Sequence, residues 1–138
     1  MQDFPQELMH LEPQKRSDGW WAASPELDVR GVAQVMLAGG IRLATMTACA
    51  RADGETDVIY HYAAPDAAYN LRTTTRNNCL PSIALVLPAA DWIEREIHDL
   101  FAVKFEGHPN LVRLVRPPEV AEGFFRQPGG AASRQRKD

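Results

Sequence analysis

The sequence of 138 residues is poor in cysteine and carries no excess of positive charge. Its two cysteines, Cys49 and Cys79, lie far apart and have neither a CxxC spacing nor a neighbouring histidine. The chain alone therefore builds neither a zinc cluster nor an iron–sulfur site, and we expect two reduced thiols. A formal net charge of −3 gives no general attraction to phosphate, which argues against a nucleic-acid partner.

Long apolar runs are also missing. No stretch reaches the roughly 18 apolar residues that a membrane-spanning helix needs, and the first residues are too polar for the core of a signal peptide. We expect a cytoplasmic chain that reaches a membrane only indirectly, through a partner. A hydrophobic content of 45% over 138 residues suits one domain with a buried core.

The segment from residue 24 to residue 40 predicts an amphipathic helix. Ser24 is placed to cap it, Pro25 suits its first position, and Gly39 and Gly40 can end it in a left-handed conformation. Four apolar residues share one helical face, which is expected to cover a sheet. These residues are Val29, Val32, Val35 and Met36.

Three antiparallel strands are predicted between residues 41 and 76, with turns at Asp53–Gly54 and at Pro65–Asp66. Residues 77–82 are expected to form a loop, residues 83–88 a short strand or turn, and residues 103–105 a short strand. Residues 1–19 predict an irregular N-terminal arm with one short turn of helix at Glu7–Leu11.

Between Asp91 and Phe101 the sequence predicts a second helix that is unusually rich in charge. We expect Asp91 and Glu94 to form a capping box at its start. Helical spacing assigns Trp92, Ile93, Ile97, Leu100 and Phe101 to an apolar face and Glu94, Arg95 and His98 to the opposite side.

Glu96 falls inside this apolar arc, where an ionised carboxylate needs a partner. The partner can lie within the chain, at Arg42 or Arg72, or on another subunit, as an arginine or a set of backbone N–H groups. The sequence leaves both alternatives open.

After the helix, Gly107 and Pro109 predict a tight corner, and His108 between them is expected to stabilise the corner by hydrogen bonding. An alternative is a metal-dependent hydrolase or lyase that uses the acidic and histidine residues of the segment 94–108. Their spacing argues against it, because Glu94 and His98 share one helical face while Glu96 and Asp99 point elsewhere.

This segment resembles the 30 kDa subunit family of respiratory NADH:quinone oxidoreductase (NADH dehydrogenase), which includes the equivalent subunit of membrane-bound, energy-converting nickel–iron hydrogenases. The family pattern is W-x-E-R-E-x-x-D-L/M-F/L-G-I/V-x-F-x-G-H-P, and weaker similarity extends over residues 41–114. The stretch EREIHDLF is closer to the hydrogenase-type members. The matching residues are Trp92, Glu94, Arg95, Glu96, Asp99, Leu100, Phe101, Val103, Phe105, Gly107, His108 and Pro109.

The sequence departs from the family at two places. Ala102 stands where the family has a helix-ending glycine, so either a left-handed cap costs about 1 kcal/mol here or the helix ends differently. The family element P-L-R-K-D-F/Y-P is missing after the Gly107–Pro109 corner. This sequence therefore lacks the residues that would make the contact of this element in the family.

The resemblance implies an α+β fold in two layers, with helices covering one face of a mainly antiparallel sheet. We expect a single domain over residues 20–116, between an N-terminal arm of residues 1–19 and an extended, partly disordered C-terminal tail of residues 117–138. It also implies a structural subunit that is non-catalytic and carries no cofactor or metal. Its expected partners are a large, 49 kDa-like catalytic subunit and a neighbouring iron–sulfur subunit, on the cytoplasmic face of a membrane.

Ten residues of the motif are the expected contact and structural residues, and Glu96 and Asp99 are expected to fix the register of docking by charge-assisted hydrogen bonds. Glu96→Gln is then expected to weaken assembly more than it unfolds the isolated domain. The ten residues are Trp92, Glu94, Arg95, Glu96, Asp99, Phe101, Phe105, Gly107, His108 and Pro109.

Overall fold

The computed structural model describes residues 3–111, and the predicted C-terminal tail, 117–138, lies outside the described residues. Two helices and seven strands follow a short 3-10 helix. In chain order the elements are the 3-10 helix Gln6–Leu11, β1 Gln14–Arg16, β2 Gly19–Ala23, α1 Val29–Ala38, β3 Arg42–Ala50, β4 Thr56–Ala64, β5 Ala67–Thr74, β6 Cys79–Pro81, α2 Ala90–Phe101 and β7 Lys104–Glu106.

Five strands form one sheet in the order β1-β2-β5-β4-β3. The three central predicted strands are confirmed as β3, β4 and β5, which pair antiparallel in sequence order. Strand β2 runs parallel to β5 and is itself paired antiparallel with β1. The prediction of a mainly antiparallel sheet is therefore confirmed, with one parallel pair that local sequence patterns did not indicate.

The core lies between this sheet and the helices. On β4 the alternation of buried and half-buried positions directs Val58, Tyr60 and Tyr62 into the core, where each is at most 1% exposed. Met36 of α1 and Ile97 of α2 belong to the same cluster of buried side chains. This arrangement is the predicted α+β fold.

Helix α1 begins later than its sequence predicts. Asp28, not Ser24, is the N-cap, and its Oδ1 accepts the backbone N–H of Gly31 at 3.1 Å. The backbone N–H of Ser24 instead donates to the carbonyl of Arg72 at 2.9 Å, which extends the pairing of β2 with β5 past Ala23. The chain is held against the sheet there, so the helix starts only after residue 28.

The N-terminal segment is more regular than predicted. The short helical turn is confirmed as Gln6–Leu11, whereas β1 and the start of β2 lie where an irregular arm was expected. Phe4 is only 2% exposed, and its ring centroid lies 5.7 Å from that of Trp20 and 6.0 Å from that of Tyr69. The segment packs on the core because these aromatic side chains bury one another.

The residues before α2 also differ in part from the prediction. The expected loop at residues 77–82 contains β6, which pairs in parallel with β7, and residues 83–86 form a turn. The predicted short strand near residue 104 is confirmed as β7. Cys49 and Cys79 are free thiols. Within residues 3–111 the structure has no helix that combines the length and the hydrophobicity needed to span a membrane.

Candidate functional site

The candidate site is the motif segment, formed by α2, β7 and the corner at Gly107–Pro109. The N-cap of helix α2 is Ala89, two residues before the predicted cap Asp91, and it makes no side-chain hydrogen bond. Asp91 lies in the first helical turn, where a negative charge interacts favourably with the helix dipole. The predicted capping box of Asp91 and Glu94 is wrong, because Glu94 points into the protein.

The predicted division of α2 into an apolar and a polar face is wrong at several positions. Glu94 is 0% exposed and His98 is 8% exposed, although both were assigned to the solvent side. Trp92, assigned to the apolar face, is 66% exposed, and Glu96 is also exposed. Glu96 therefore needs no buried partner, and Arg72, one suggested partner, is paired with Asp57.

Glu94 is buried because the residues before α2 supply hydrogen bonds to its carboxylate. Its Oε1 accepts the hydroxyl of Ser82 at 2.6 Å, and its Oε2 accepts the backbone N–H of Ile83 at 2.9 Å. Burial raises the pKa of Glu94 above its ordinary value, and these two hydrogen bonds act in the opposite direction. The carboxylate thus connects α2 to residues 82 and 83, which follow β6.

His108 stabilises the corner, as its sequence context predicts. Its Nδ1 accepts the backbone N–H of Asn110 at 2.9 Å, so the proton of the neutral ring lies on Nε2. Nε2 lies 3.1 Å from the backbone carbonyl oxygen of Asp91 and 3.0 Å from its carboxylate oxygen Oδ1. The imidazole side chain is 0% exposed, and it attaches the corner to the first turn of α2.

The C-terminal end of α2 is closed by residues from outside the helix. Ala102 adopts the left-handed conformation, with φ +59°, at the position of the family's glycine. The side-chain amide of Asn78 donates to the carbonyls of Phe101 at 3.1 Å and Ala102 at 2.9 Å. Of the two alternatives for Ala102, the strained left-handed cap is the observed one.

Gly107 also requires a left-handed backbone, with φ +85°. A β-carbon at this position would lie 2.6 Å from Nη2 of Arg30. Arg30 of α1 donates from Nε to the carbonyl of Ser82 at 2.8 Å and from Nη2 to the carbonyl of Glu106 at 2.7 Å. The guanidinium of Arg30 thereby connects the residue after β6 to the last residue of β7. The absence of a side chain at Gly107 leaves room for it.

The motif therefore separates into an internal and an external set. Glu94, Asp99 and Phe105 are at most 2% exposed, and Phe101 is half-buried against the core. The expected contact of Asp99 with a partner stays a prediction, and its full burial favours a role inside the chain. Arg95 is half-buried, with its guanidinium 5.9 Å from the ring centroid of Trp92. The exposed motif residues are Trp92, Glu96, Gly107 and Pro109.

Three residues that position this site were missed in the sequence. Ser82, Asn78 and Arg30 each form hydrogen bonds to residues at least 12 positions away in the sequence. Contacts of this kind depend on tertiary structure and leave no periodic signal. Only Asn78 carries a local sign, because Asn77–Asn78 is a pair of residue types that tolerate the left-handed conformation seen at both positions.

The geometry of the motif segment does not support the alternative of a metal-dependent hydrolase or lyase. Among residues 3–111, no group of three or more histidine, cysteine, aspartate or glutamate side chains is placed to hold a metal ion. Glu94 and Glu96 lie on opposite sides of the α2 surface, one buried and one exposed. The arrangement can hold α2 and the corner in place, and it presents a tryptophan and a carboxylate outward.

Known proteins resemble this chain in sequence. A family profile described as respiratory-chain NADH dehydrogenase, 30 Kd subunit, matches residues 25–128. The C/D subunit of the NADH-quinone oxidoreductase of Methylococcus capsulatus is 43% identical over 65 residues, which are 44% of this chain and 11% of that protein. The C subunit of the same enzyme from Sinorhizobium medicae is 42% identical over 62 residues, covering 43% of this chain and 31% of that protein. The matched part is thus a minor share of these relatives.

Two solved structures share the fold. The trypsin-resistant fragment (1–134) of Nqo5 has a TM-score of 0.62 at 24% identity, over 77% of this chain and 95% of that chain. A chain from the membrane-bound sulfane sulfur reductase, an archaeal respiratory membrane complex, has a TM-score of 0.74 at 19% identity, over 96% of this chain and 87% of that chain. At these identities the similarity establishes the fold alone.

Proposed function

Because the chain belongs to the family of the 30 kDa subunit of respiratory-chain NADH dehydrogenase, we propose that it is a non-catalytic subunit of a membrane-bound respiratory oxidoreductase. In this proposal the chain carries no cofactor and docks on the large catalytic subunit, beside the iron–sulfur subunit, on the cytoplasmic face of the membrane. That the parent complex is of the hydrogenase type remains a prediction from the sequence EREIHDLF.

The observation that carries the proposal is the exposure of Trp92. A large aromatic side chain that is 66% exposed on a well-packed helix is unusual, since burial of such a ring is strongly favourable. Tryptophan and arginine are also the residues most enriched among those that dominate binding energy at protein interfaces. Arg95 lies against the same ring, 5.9 Å from its centroid.

Glu96 adds a charge beside this aromatic group. It is exposed, in contrast to Glu94 on the same helix, so it is available to an arginine or to backbone N–H groups of a partner. The docking surface in this proposal is thus formed by Trp92, Arg95 and Glu96. The buried motif residues act indirectly, because Glu94 and His108 fix the position of α2 from inside.

The test measures assembly and folding separately. Chains carrying an affinity tag and either Trp92→Ala or Glu96→Gln are expressed in the source organism, and the co-purified subunits are quantified. An interface tryptophan commonly contributes about 2 kcal/mol or more, which corresponds to roughly 30-fold weaker association for Trp92→Ala. The melting temperature of the purified chain is expected to change little, because both side chains are exposed.

Leu37→Ala is the matched control, since Leu37 is an exposed apolar residue on α1, outside the motif, at 56% exposure. It is expected to affect neither assembly nor stability. Normal recovery of the large subunit with Trp92→Ala would show that docking uses another surface. Stoichiometric metal or substrate turnover by the purified chain alone would instead favour the hydrolase or lyase alternative.

A further inference from the structure

Two tyrosine hydroxyls are buried in the core without a hydrogen-bond partner among residues 3–111. Tyr60 and Tyr62 project from the core face of β4, and each residue is 1% exposed. Neither hydroxyl forms a hydrogen bond with any group in residues 3–111. Buried hydroxyls in folded proteins nearly always have a partner, either a protein group or an ordered water molecule. These two positions therefore require an explanation.

Both hydroxyls share the electrostatic environment of Glu94. Burial raises the pKa of Tyr60 well above its ordinary value, and the nearby carboxylate of Glu94 raises it further. Burial and the same carboxylate also raise the pKa of Tyr62. The geometry agrees, because Ile83, whose backbone N–H donates to the Glu94 carboxylate, belongs to the same cluster of buried side chains as Tyr60 and Tyr62.

Glu94 retains the capacity to accept further hydrogen bonds. A carboxylate offers about four acceptor positions on its two oxygens. Ser82 and Ile83 each occupy one of them, and Nε2 of His108 lies 4.0 Å from Oε1, beyond hydrogen-bonding distance. The site therefore combines two donors that lack an acceptor with an acceptor that has unused positions.

We propose that Tyr60, Tyr62 and Glu94 enclose a binding site for ordered water. A water molecule accepts the hydrogen of a tyrosine hydroxyl and donates one of its own hydrogens to the Glu94 carboxylate. Buried water typically makes about three such bonds to groups that are otherwise unsatisfied. The ligand is water because all three residues are at most 1% exposed, which leaves no open route for a larger molecule.

Removal of each hydroxyl tests the proposal, because the sign of the effect differs between a hydrated and a dry site. In the full chain, Tyr60→Phe and Tyr62→Phe are each expected to raise the equilibrium constant for unfolding about fivefold, the usual effect of losing one hydrogen bond. Urea denaturation followed by circular dichroism measures this constant. An unchanged or lower constant in both variants would mean that the hydroxyls are dry, and would overturn the proposal.

Tyr69→Phe is the matched control. Tyr69 is 0% exposed and lies directly opposite Tyr62 in the register of β4 and β5, but its hydroxyl has a partner, the backbone carbonyl of Asp3 at 3.2 Å. Its substitution gives the effect of losing a satisfied hydroxyl in the same core. Tyr60→Phe and Tyr62→Phe are expected to match it in sign and approximate size.

A high-resolution crystal structure of the full chain identifies the partner directly. Electron density for water within about 3.2 Å of either hydroxyl, and bonded to Glu94, is the expected result. A direct hydrogen bond from both hydroxyls to Glu94, or to a side chain of residues 112–138, would overturn the proposal even if the variants are destabilised. The two measurements together distinguish a bound water from a protein partner.

Discussion

Replacement of Glu94 separates its role as a hydrogen-bond acceptor from the effect of its buried charge. Glu94→Ala leaves the Ser82 hydroxyl and the Ile83 N–H without their acceptor, and it removes a side chain that is 0% exposed. An unsatisfied buried donor costs about 1–3 kcal/mol, although the serine hydroxyl can rotate toward another acceptor. We expect Glu94→Ala to lower the free energy of unfolding by about 3 kcal/mol.

Glu94→Gln keeps much of this hydrogen bonding. The amide oxygen can accept the N–H of Ile83, and the amide N–H₂ group can donate to the Ser82 hydroxyl, which is able to act as an acceptor. The remaining loss comes from the poorer fit of an amide to hydrogen-bonding groups arranged around a carboxyl group, about 1 kcal/mol, roughly the net value of one hydrogen bond. We therefore expect the glutamine variant to be less destabilised than the alanine variant by a margin that chemical denaturation resolves.

The pH dependence gives the sharper test. The pKa of Glu94 in the folded chain is raised above its ordinary value of 4.5, chiefly by burial. The protonated form is therefore favoured by folding, so this contribution to stability is full below pH 4.5 and is lost as the pH rises through the raised value. Glutamine cannot ionise. The deficit of Glu94→Gln relative to the unsubstituted chain is expected to shrink as the pH rises.

The assay is urea denaturation, followed by circular dichroism, at several pH values from about 4.5 to 8. Glu96→Gln is the control on the same helix, and its exposed side chain predicts an effect within about 0.5 kcal/mol at each pH. A deficit of Glu94→Gln that grows with pH would contradict the argument, because it would mean that the interior stabilises the ionised carboxylate.

Two further substitutions test the left-handed positions that bound this segment. Ala102→Gly removes backbone strain of about 1–2 kcal/mol. Glycine also makes the unfolded chain more flexible, which lowers the free energy of unfolding by about 0.4–1 kcal/mol. Thermal denaturation is therefore expected to show a free energy of unfolding that is higher by roughly 0.5–1 kcal/mol. Equal or lower stability would show that the cap is unstrained. Gly107→Ala introduces the strain at φ +85° and crowds Arg30, so a loss of at least about 1 kcal/mol is expected, and a neutral result would contradict this geometry.

Patterns that repeat over short distances predicted the elements of this fold well. On β4, alternation correctly assigned Val58, Tyr60 and Tyr62 to the core, because a strand that is buried on one face leaves a period of two in its sequence. Strand β2 left no comparable signal, since its position depends on parallel pairing with β5, about 50 residues later. Pairing over such a distance is decided by tertiary packing, which local propensity does not encode.

The burial pattern of α2 could not be predicted from the same rules. Periodicity assumes that carboxylates face water, and that assumption holds only where the interior offers them no hydrogen-bond donors. Here the Ser82 hydroxyl and the Ile83 N–H provide those donors, and both come from a segment whose position relative to α2 is set by the fold. Once Glu94 is inside, the helical rotation that buries it also brings Trp92 to the surface.

Because of this rotation, the buried motif residues can affect the proposed docking only indirectly, through the position of α2. A substitution at Glu94 or His108 can weaken docking simply by displacing α2, because both side chains are buried and attached to elements outside the helix. Lost assembly in such a variant says little about the interface. Trp92 and Glu96 lie outside the core, so a loss of assembly there, with an unchanged free energy of unfolding, identifies a direct contact. Conversely, normal assembly of both Trp92→Ala and Glu96→Gln would mean that docking uses another surface.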